Sequence, residues 1–261
     1  MEPSPDRNAA DVVKIIHFKT IDSTNLEISR MAQAGVVDPW TVIVADHQSA
    51  GRGRQGRDWN SDEGAGLWAS VLVQLDGCPE PGWLPLITGL SVVSTLSQFT
   101  TAHIGVKWPN DILVADRKLA GILIEALPTS DKYIVGIGIN FESNLYPGAI
   151  GLKEIAVSGL AIDRDRILVD LMQELQQRIL QWRSQNWDTE LLRESYLREC
   201  ISIGAELQIT EPRGVSWTGT GVGITPSGHL LVRETGTTLE RTVIAADVVH
   251  ASIAPCTPKN S

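Results

Sequence analysis

Apolar and polar positions change period along this chain, and the changes divide it into elements. Val12 to Lys19 reads as a strand. Thr24-Asn25-Leu26-Glu27 has the spacing of a capping box, which predicts a helix over Asn25 to Ala34 that stops at Gly35. Thr41 to Ala45 and Leu67 to Leu75 are short apolar strands, and the stretch between them, Ser49 to Gly64, is rich in glycine and arginine. Trp83 to Phe99 has apolar residues near helical spacing. Four strands are then expected, around Val106 and over Ile112 to Ala115, Leu119 to Ala126 and Tyr133 to Phe141. Ile167 to Trp182 and Thr189 to Arg198 read as amphipathic helices, the first with Ile167, Leu168, Leu171, Leu175 and Ile179 on one face. Past Cys200 short alternating strands with glycine turns run from Glu206 to Ser252, the pattern of a small antiparallel barrel. The expected organisation is α+β: a mixed sheet flanked by helices over 12–200, a small β domain over 201–254, and disordered tails at 1–11 and 255–261.

Composition narrows the class. The apolar fraction is 43%, ordinary for a soluble globular chain, and no apolar run reaches the ~18 residues that span a bilayer. Met1 to Asp11 is polar and fits neither a signal nor a transit peptide, so the cytoplasm is the expected compartment, with no membrane partner. Cys78, Cys200 and Cys256 are isolated, which argues against a disulfide framework or a zinc site. The net charge of -9 argues against nonspecific nucleic-acid binding.

One loop reverses that charge locally. In Gln48-Ser49-Ala50-Gly51-Arg52-Gly53-Arg54-Gln55-Gly56-Arg57-Asp58-Trp59, three arginines alternate with three glycines. Arginine forks match carboxylate and phosphate oxygens, and glycines let backbone N–H groups approach a ligand. The loop therefore reads as an anion site that folds over its ligand, against the alternative of a solvated basic loop. Gly51, Gly53 and Gly56 also satisfy the spacing of a dinucleotide-binding turn, and Asp76 lies 20 residues beyond Gly56. That turn must open a helix, whereas Arg57 to Gly66 has no helical period. A phosphate loop of the GK[ST] kind is excluded by pattern.

The stretch GRGRQGRDW resembles the signature loop of biotin protein ligases. Lys107-Trp108-Pro109-Asn110-Asp111-Ile112, then Arg117-Lys118-Leu119-Ala120-Gly121-Ile122, and Gly136-Ile137-Gly138-Ile139-Asn140 resemble further segments of that family in order and spacing. Ser23-Thr24-Asn25 is a weaker match, and the likeness covers roughly residues 12 to 254. The resemblance implies a biotin–lipoate ligase core of the class II synthetase type with an SH3-like C-terminal domain. It implies an enzyme that makes biotinyl-5'-AMP from biotin and ATP with Mg²⁺, then passes biotin to a lysine of a biotin carboxyl carrier protein. It also admits a homodimer through the main sheet.

The first step brings two anions together, so positive groups aimed at the developing charge are its main lever. The resemblance implies Lys107 between carboxylate and α-phosphate, Arg52 as the matching charge from the loop, and Lys118 on the carboxylate or phosphate side. It implies Ser23, Thr24 and Gln48 as hydrogen-bonding groups for biotin, with Gly51 in the loop, Arg52 and Lys118 also on the biotin side, Arg54 supporting the loop's closure and Gly121 giving the acid access to the backbone. Ser23 or Thr24 is also a plain helix cap. On the nucleotide side it implies Arg57, Asn110, Asp111 and Asn140, with Asp111 as a magnesium ligand. Asn110 and Asp111 are equally turn formers after Pro109, and Trp59 is either a cover for the ligand or a packing residue.

Some members of the family carry an N-terminal DNA-binding domain. Residues 1–11 are too few for one, so no DNA partner is expected. The rival within the fold is a lipoate or octanoate ligase or transferase. Rivals of other classes are a noncatalytic biotin- or nucleotide-binding module and a nucleotide-dependent oxidoreductase.

Overall fold

The computed structural model describes residues 12–250 apart from 129, 144, 212–213 and 245–246. The expected tails, Cys256 and the last residues of the expected C-terminal domain lie outside the described residues.

Seven strands form one mixed sheet: β1 (Lys14–Ile21), β2 (Thr41–Gln48), β3 (Gly66–Gln74), β4 (Ile104–Lys107), β5 (Asp111–Val114), β6 (Arg117–Ala126) and β7 (Lys132–Asn140). Their spatial order is β1-β2-β3-β7-β6-β5-β4. Only β1 and β2 run parallel, and the other neighbours are antiparallel.

Period-two alternation gives the sheet two apolar faces. On one, Ile43, Leu72 and Ile134 pack with Ile28 of helix α1 (Thr24–Gln33). On the other, Val42, Val44, Val71, Val73 and Val135 join helices α2 (Leu84–Leu96) and α4 (Arg164–Ser184). Every residue of the expected α4 stripe, Ile167 to Ile179, is buried. A one-turn helix α3 (Leu152–Ile155) is too short to show a period and went unread in the sequence. Helix α5 (Glu190–Glu199) leads into five antiparallel strands, β8 (Glu206–Thr210), β9 (Ser216–Ile224), β10 (Leu230–Glu234), β11 (Glu240–Val243) and β12 (Asp247–His250). These pair in the order β11-β10-β9-β8-β12. Among the described residues β11 and β12 are the edges of this sheet, and no pair closes it into the expected barrel.

The capping box is a correction. The N-cap of α1 is Ser23, whose side chain makes no cap bond. Thr24 instead turns its hydroxyl and amide to Gln48 Oε1, at 3.1 and 2.8 Å. Gly35 does end the helix, with φ +69.

Candidate functional site

The site lies on the α1 face of the sheet, where large residues give way to small ones. Along β7 that face reads Ile134, Gly136, Gly138. Across the sheet, Gly138 pairs with Trp68 and with Gly121, and Gly136 pairs with Ser70 and with Leu123. Apolar filling stops after Ile134 and a glycine floor begins.

The Trp59 indole rests on that floor. A Cβ added at Gly138 would stand 2.5 Å from the ring, and one at Gly121 2.7 Å from it. Trp68 and Tyr146 meet Trp59 edge-on at 6.3 and 6.4 Å. The Lys118 ammonium lies 4.9 Å from the ring centre. Trp59 Nε1 is buried and has no hydrogen-bond partner among the described residues.

The loop that carries Trp59 is pinned by its backbone. Trp59 N donates to Gly51 O at 2.9 Å and Gly53 N to Arg57 O at 2.7 Å. At its tip a 3₁₀ turn, Arg54–Gly56, places Gln55 and Gly56 at φ 56 and 73. Of the two, only Gly56 adopts that region without steric cost. Gly51 does a different job: a Cβ there would collide with the Trp59 carbonyl.

Two cavities meet beneath the loop. The inner pocket encloses about 50 Å³, and Ser23, Thr24, Gln48, Arg52, Arg54, Trp59, Asn110, Lys118 and Gly121 all reach it. The outer cleft, about 410 Å³, takes Arg54, Arg57, Trp59, Lys107, Asn110, Asp111 and Lys118. Arg54, Trp59, Asn110 and Lys118 border both.

The inner pocket is walled by a buried polar chain. Gln48 Nε2 donates to Ser61 Oγ at 2.7 Å, and Gln48 Oε1 receives Thr24. Ser70 Oγ lies 2.7 Å from Thr24 Oγ1 and donates to Asn25 Oδ1 at 2.5 Å. Ser23 is 2% exposed with its hydroxyl unused by the helix end. In the cleft the charges pair. Asp111 Oδ1 is 2.6 Å from Lys118 Nζ, and its Oδ2 is 4.0 Å from Lys107 Nζ. Arg54 Nη1 donates to Asn110 Oδ1 at 2.8 Å, and Asn110 Nδ2 donates to Ile122 O at 2.9 Å. Burial raises the Tyr146 hydroxyl above the usual tyrosine range; the Asn140 hydrogen bond lowers it in part, and Asp111 adds to the rise.

Two expected residues, Gly51 and Asn140, are absent from both linings. Asn140 is fully buried behind the start of β6, where Nδ2 donates to Lys118 O at 3.0 Å, and Oδ1 has no partner among the described residues. Arg52 reaches the inner pocket and not the cleft, and its guanidinium pairs with Glu125 at 3.1 Å. Tyr146, Asn25, Ser70 and Glu125 went unread as site residues. They enter through strand register or a distant loop, which a local pattern does not carry.

The glycine floor, the polar wall and the cation-bearing cleft together describe a site for a small acid next to an anion. The model of the biotin/lipoate A/B protein ligase family matches residues 18–142. A biotin–[acetyl-CoA-carboxylase] ligase of Mycobacterium tuberculosis is 35% identical over 236 residues, which cover 87% of this chain and 85% of the relative. The biotin protein ligase of Aquifex aeolicus, solved in complex with biotin and ATP, is 27% identical with a TM-score of 0.79, covering 92% of this chain and 100% of that one. The biotin protein ligase of Leishmania major in complex with biotinyl-5-AMP is 25% identical with a TM-score of 0.61, covering 89% and 99%. This chain belongs to the biotin/lipoate A/B protein ligase family, and within it stands with the biotin–protein ligases.

Proposed function

We infer that this chain is an ATP-dependent biotin–protein ligase that works through biotinyl-5'-AMP and delivers biotin to a lysine of a biotin carboxyl carrier protein. The observation that carries this is the shared border of the two cavities. Arg54, Trp59, Asn110 and Lys118 touch both, so an acid in the inner pocket and a phosphate in the cleft meet at one place.

Thr24, Gln48 and Ser23 offer donors and acceptors for the ureido ring, and Trp59, seated on the floor of Gly121 and Gly138, borders the space for its body. Lys118, at the border, suits the acid's carboxylate beside the α-phosphate. Lys107 and Arg57, in the cleft, suit the phosphates. The carboxylate oxygen then attacks the α-phosphorus and pyrophosphate leaves. These cations hold the two anions in line and spread the charge that develops. In the second step the acceptor's lysine amine attacks the acyl carbonyl and AMP leaves. The ordered loop keeps water from the mixed anhydride.

No cluster of three or more His, Cys, Asp or Glu that could hold a metal exists among the described residues. Asp111 lines the cleft beside both lysines, and its carboxylate suits a magnesium ion carried in on ATP. When bound, that ion screens the phosphate charge; Asp111 would hold it.

The test is pyrophosphate release with ATP and magnesium, offering biotin, lipoate or octanoate as the acid. Release with biotin alone is expected. Release with lipoate or octanoate alone would keep the adenylation chemistry and overturn the biotin pocket. In the same assay Lys107→Ala should lose at least about a hundredfold in rate while remaining folded. Unchanged turnover removes Lys107 from its assigned role.

A further inference from the structure

Arg52 and Lys107 both entered as charges between carboxylate and α-phosphate, Arg52 on the biotin side as well, and the structure separates them. The Arg52 side chain leaves the loop toward β6, borders the inner pocket and does not line the cleft that holds Lys107 and Asp111. Its guanidinium meets Glu125 Oε1 at 3.1 Å.

Glu125 is not a casual surface partner. Register puts it opposite Ile134, on the face that holds the glycine floor. Its second oxygen, Oε2, accepts from Asn25 Nδ2 at 2.7 Å. Asn25 is itself fixed: it is 4% exposed, its Oδ1 accepts from Ser70 Oγ, and its amide lies against Gly136. A buried amide therefore aims the carboxylate and leaves one oxygen directed at the loop. Most surface ion pairs gain little because both side chains must be ordered when they meet. Here one partner is ordered in advance, and the pair is a charge-assisted hydrogen bond rather than a loose contact.

The same face connects the clasp to the acid. Ser70 touches Thr24 as well as Asn25, and Thr24 touches Gln48. The groups that wall the pocket and the group that anchors the loop are one chain of hydrogen bonds. The loop has a second side-chain anchor at the border of the two cavities, Arg54 to Asn110.

We propose that Glu125 is a positioning residue that holds Arg52 across the mouth of the acid pocket, so that Arg52 acts by retaining the acid and its adenylate rather than by stabilising charge on the phosphate. This rests on the biotin–protein ligase reading. It separates the two anchors of the loop: Arg52–Glu125 serves the acid, and Arg54–Asn110 sits where acid and nucleotide meet.

The experiment is steady-state pyrophosphate release by the full chain with varied biotin at saturating ATP and magnesium, for wild type, Glu125→Gln, Arg52→Gln and the double variant. Glu125→Gln is expected to raise KM for biotin about tenfold, the size of one lost charge-assisted hydrogen bond, and to leave kcat within about twofold. Arg52→Gln should raise it at least as far. The double variant should have a KM within about twofold of Arg52→Gln alone, because Glu125 acts only through Arg52. A fall in kcat for Glu125→Gln with KM unchanged would return Arg52 to the phosphate and overturn the clasp. A double variant about tenfold worse than Arg52→Gln alone would do the same. Absence of release from folded wild-type protein would instead strike the biotin–protein ligase reading itself, which keeps the two failures apart. A thermal melt of each variant identifies unfolding, and a double variant no worse than Arg52→Gln excludes a structural role of Glu125 separate from the clasp.

Discussion

Gly138 shows how little room the floor leaves. A methyl there would stand 2.5 Å from the Trp59 indole, closer than side-chain carbons approach, and β7 is held between β3 and β6. The indole must move, and with it the loop. Gly138→Ala is expected to lower adenylation at least about tenfold with the fold retained, since small misplacements at a reacting centre cost rate before stability. Turnover measured beside a thermal melt checks this, and wild-type turnover would mean that the indole has no fixed seat. The glycines, arginines and lysines of the site were legible because each motif is contiguous. The register that sets Gly138 beside Gly121 and beneath Trp59 was not, because the indole comes from a loop that precedes both glycines by more than sixty residues. The same holds for Asn25 and Glu125, 100 residues apart, which a local pattern has no means to join.

At the scale of the element, α1 illustrates a competition between local and distant partners. Spacing favoured a box of Thr24 and Glu27, yet Gln48 takes the Thr24 hydroxyl, and Glu27 turns to Arg30 at 2.5 Å. The N-terminal end is held instead by Asp22, which receives both terminal nitrogens of Arg30 at 2.9 and 2.8 Å. That fork pulls the Asp22 carboxyl down to about 2. A carboxyl lowered in the folded state contributes stability at neutral pH, and that contribution fades as pH falls from about 4 toward 2. The pair is half-exposed, so solvent screening keeps this contribution small. Asp22→Asn should flatten the acid limb of the melting temperature in that window and leave its shape near pH 7 unchanged. An unaltered acid limb would show that the fork does not form in solution. By contrast, Asp163 caps α4 directly, accepting from the amides of Asp165 and Arg166. The long period of α4 was legible for a simpler reason: its stripe faces the core, and no ligand-binding group competes for it.

In the whole molecule, two tryptophans fasten the small sheet to the large one. Trp83 Nε1 donates to Pro226 O at 2.6 Å, and Trp108 Nε1 donates to Gly228 O at 3.0 Å. Leu207, Ile209, Leu230 and Val232 belong to the same apolar core as β3 and α2. The pattern of strands located a change of architecture near residue 200. It could not show that the two parts share one interior, because periodicity speaks only of each segment's own faces. A shared interior should melt as one unit. Calorimetry is expected to give a single transition, and Trp108→Phe, which strands the Gly228 carbonyl, should lower it by the equivalent of about 1–3 kcal/mol without splitting it. Two separated transitions would mean that the sheets fold independently.

The seat of Trp59 also gives the molecule an optical character. The chain has eight tryptophans, and Trp40, Trp68, Trp83, Trp108 and Trp182 are buried in packed surroundings. Trp187 and Trp217 lie under arginines, Arg183 and Arg241, away from the glycine floor. Trp59 alone faces both cavities, with a lysine ammonium 4.9 Å from its ring. An anion that draws Lys118 aside changes the field across that indole, so the colour and yield of its emission report occupancy, with Trp108, on the wall of the outer cleft, the other indole within a ligand's reach.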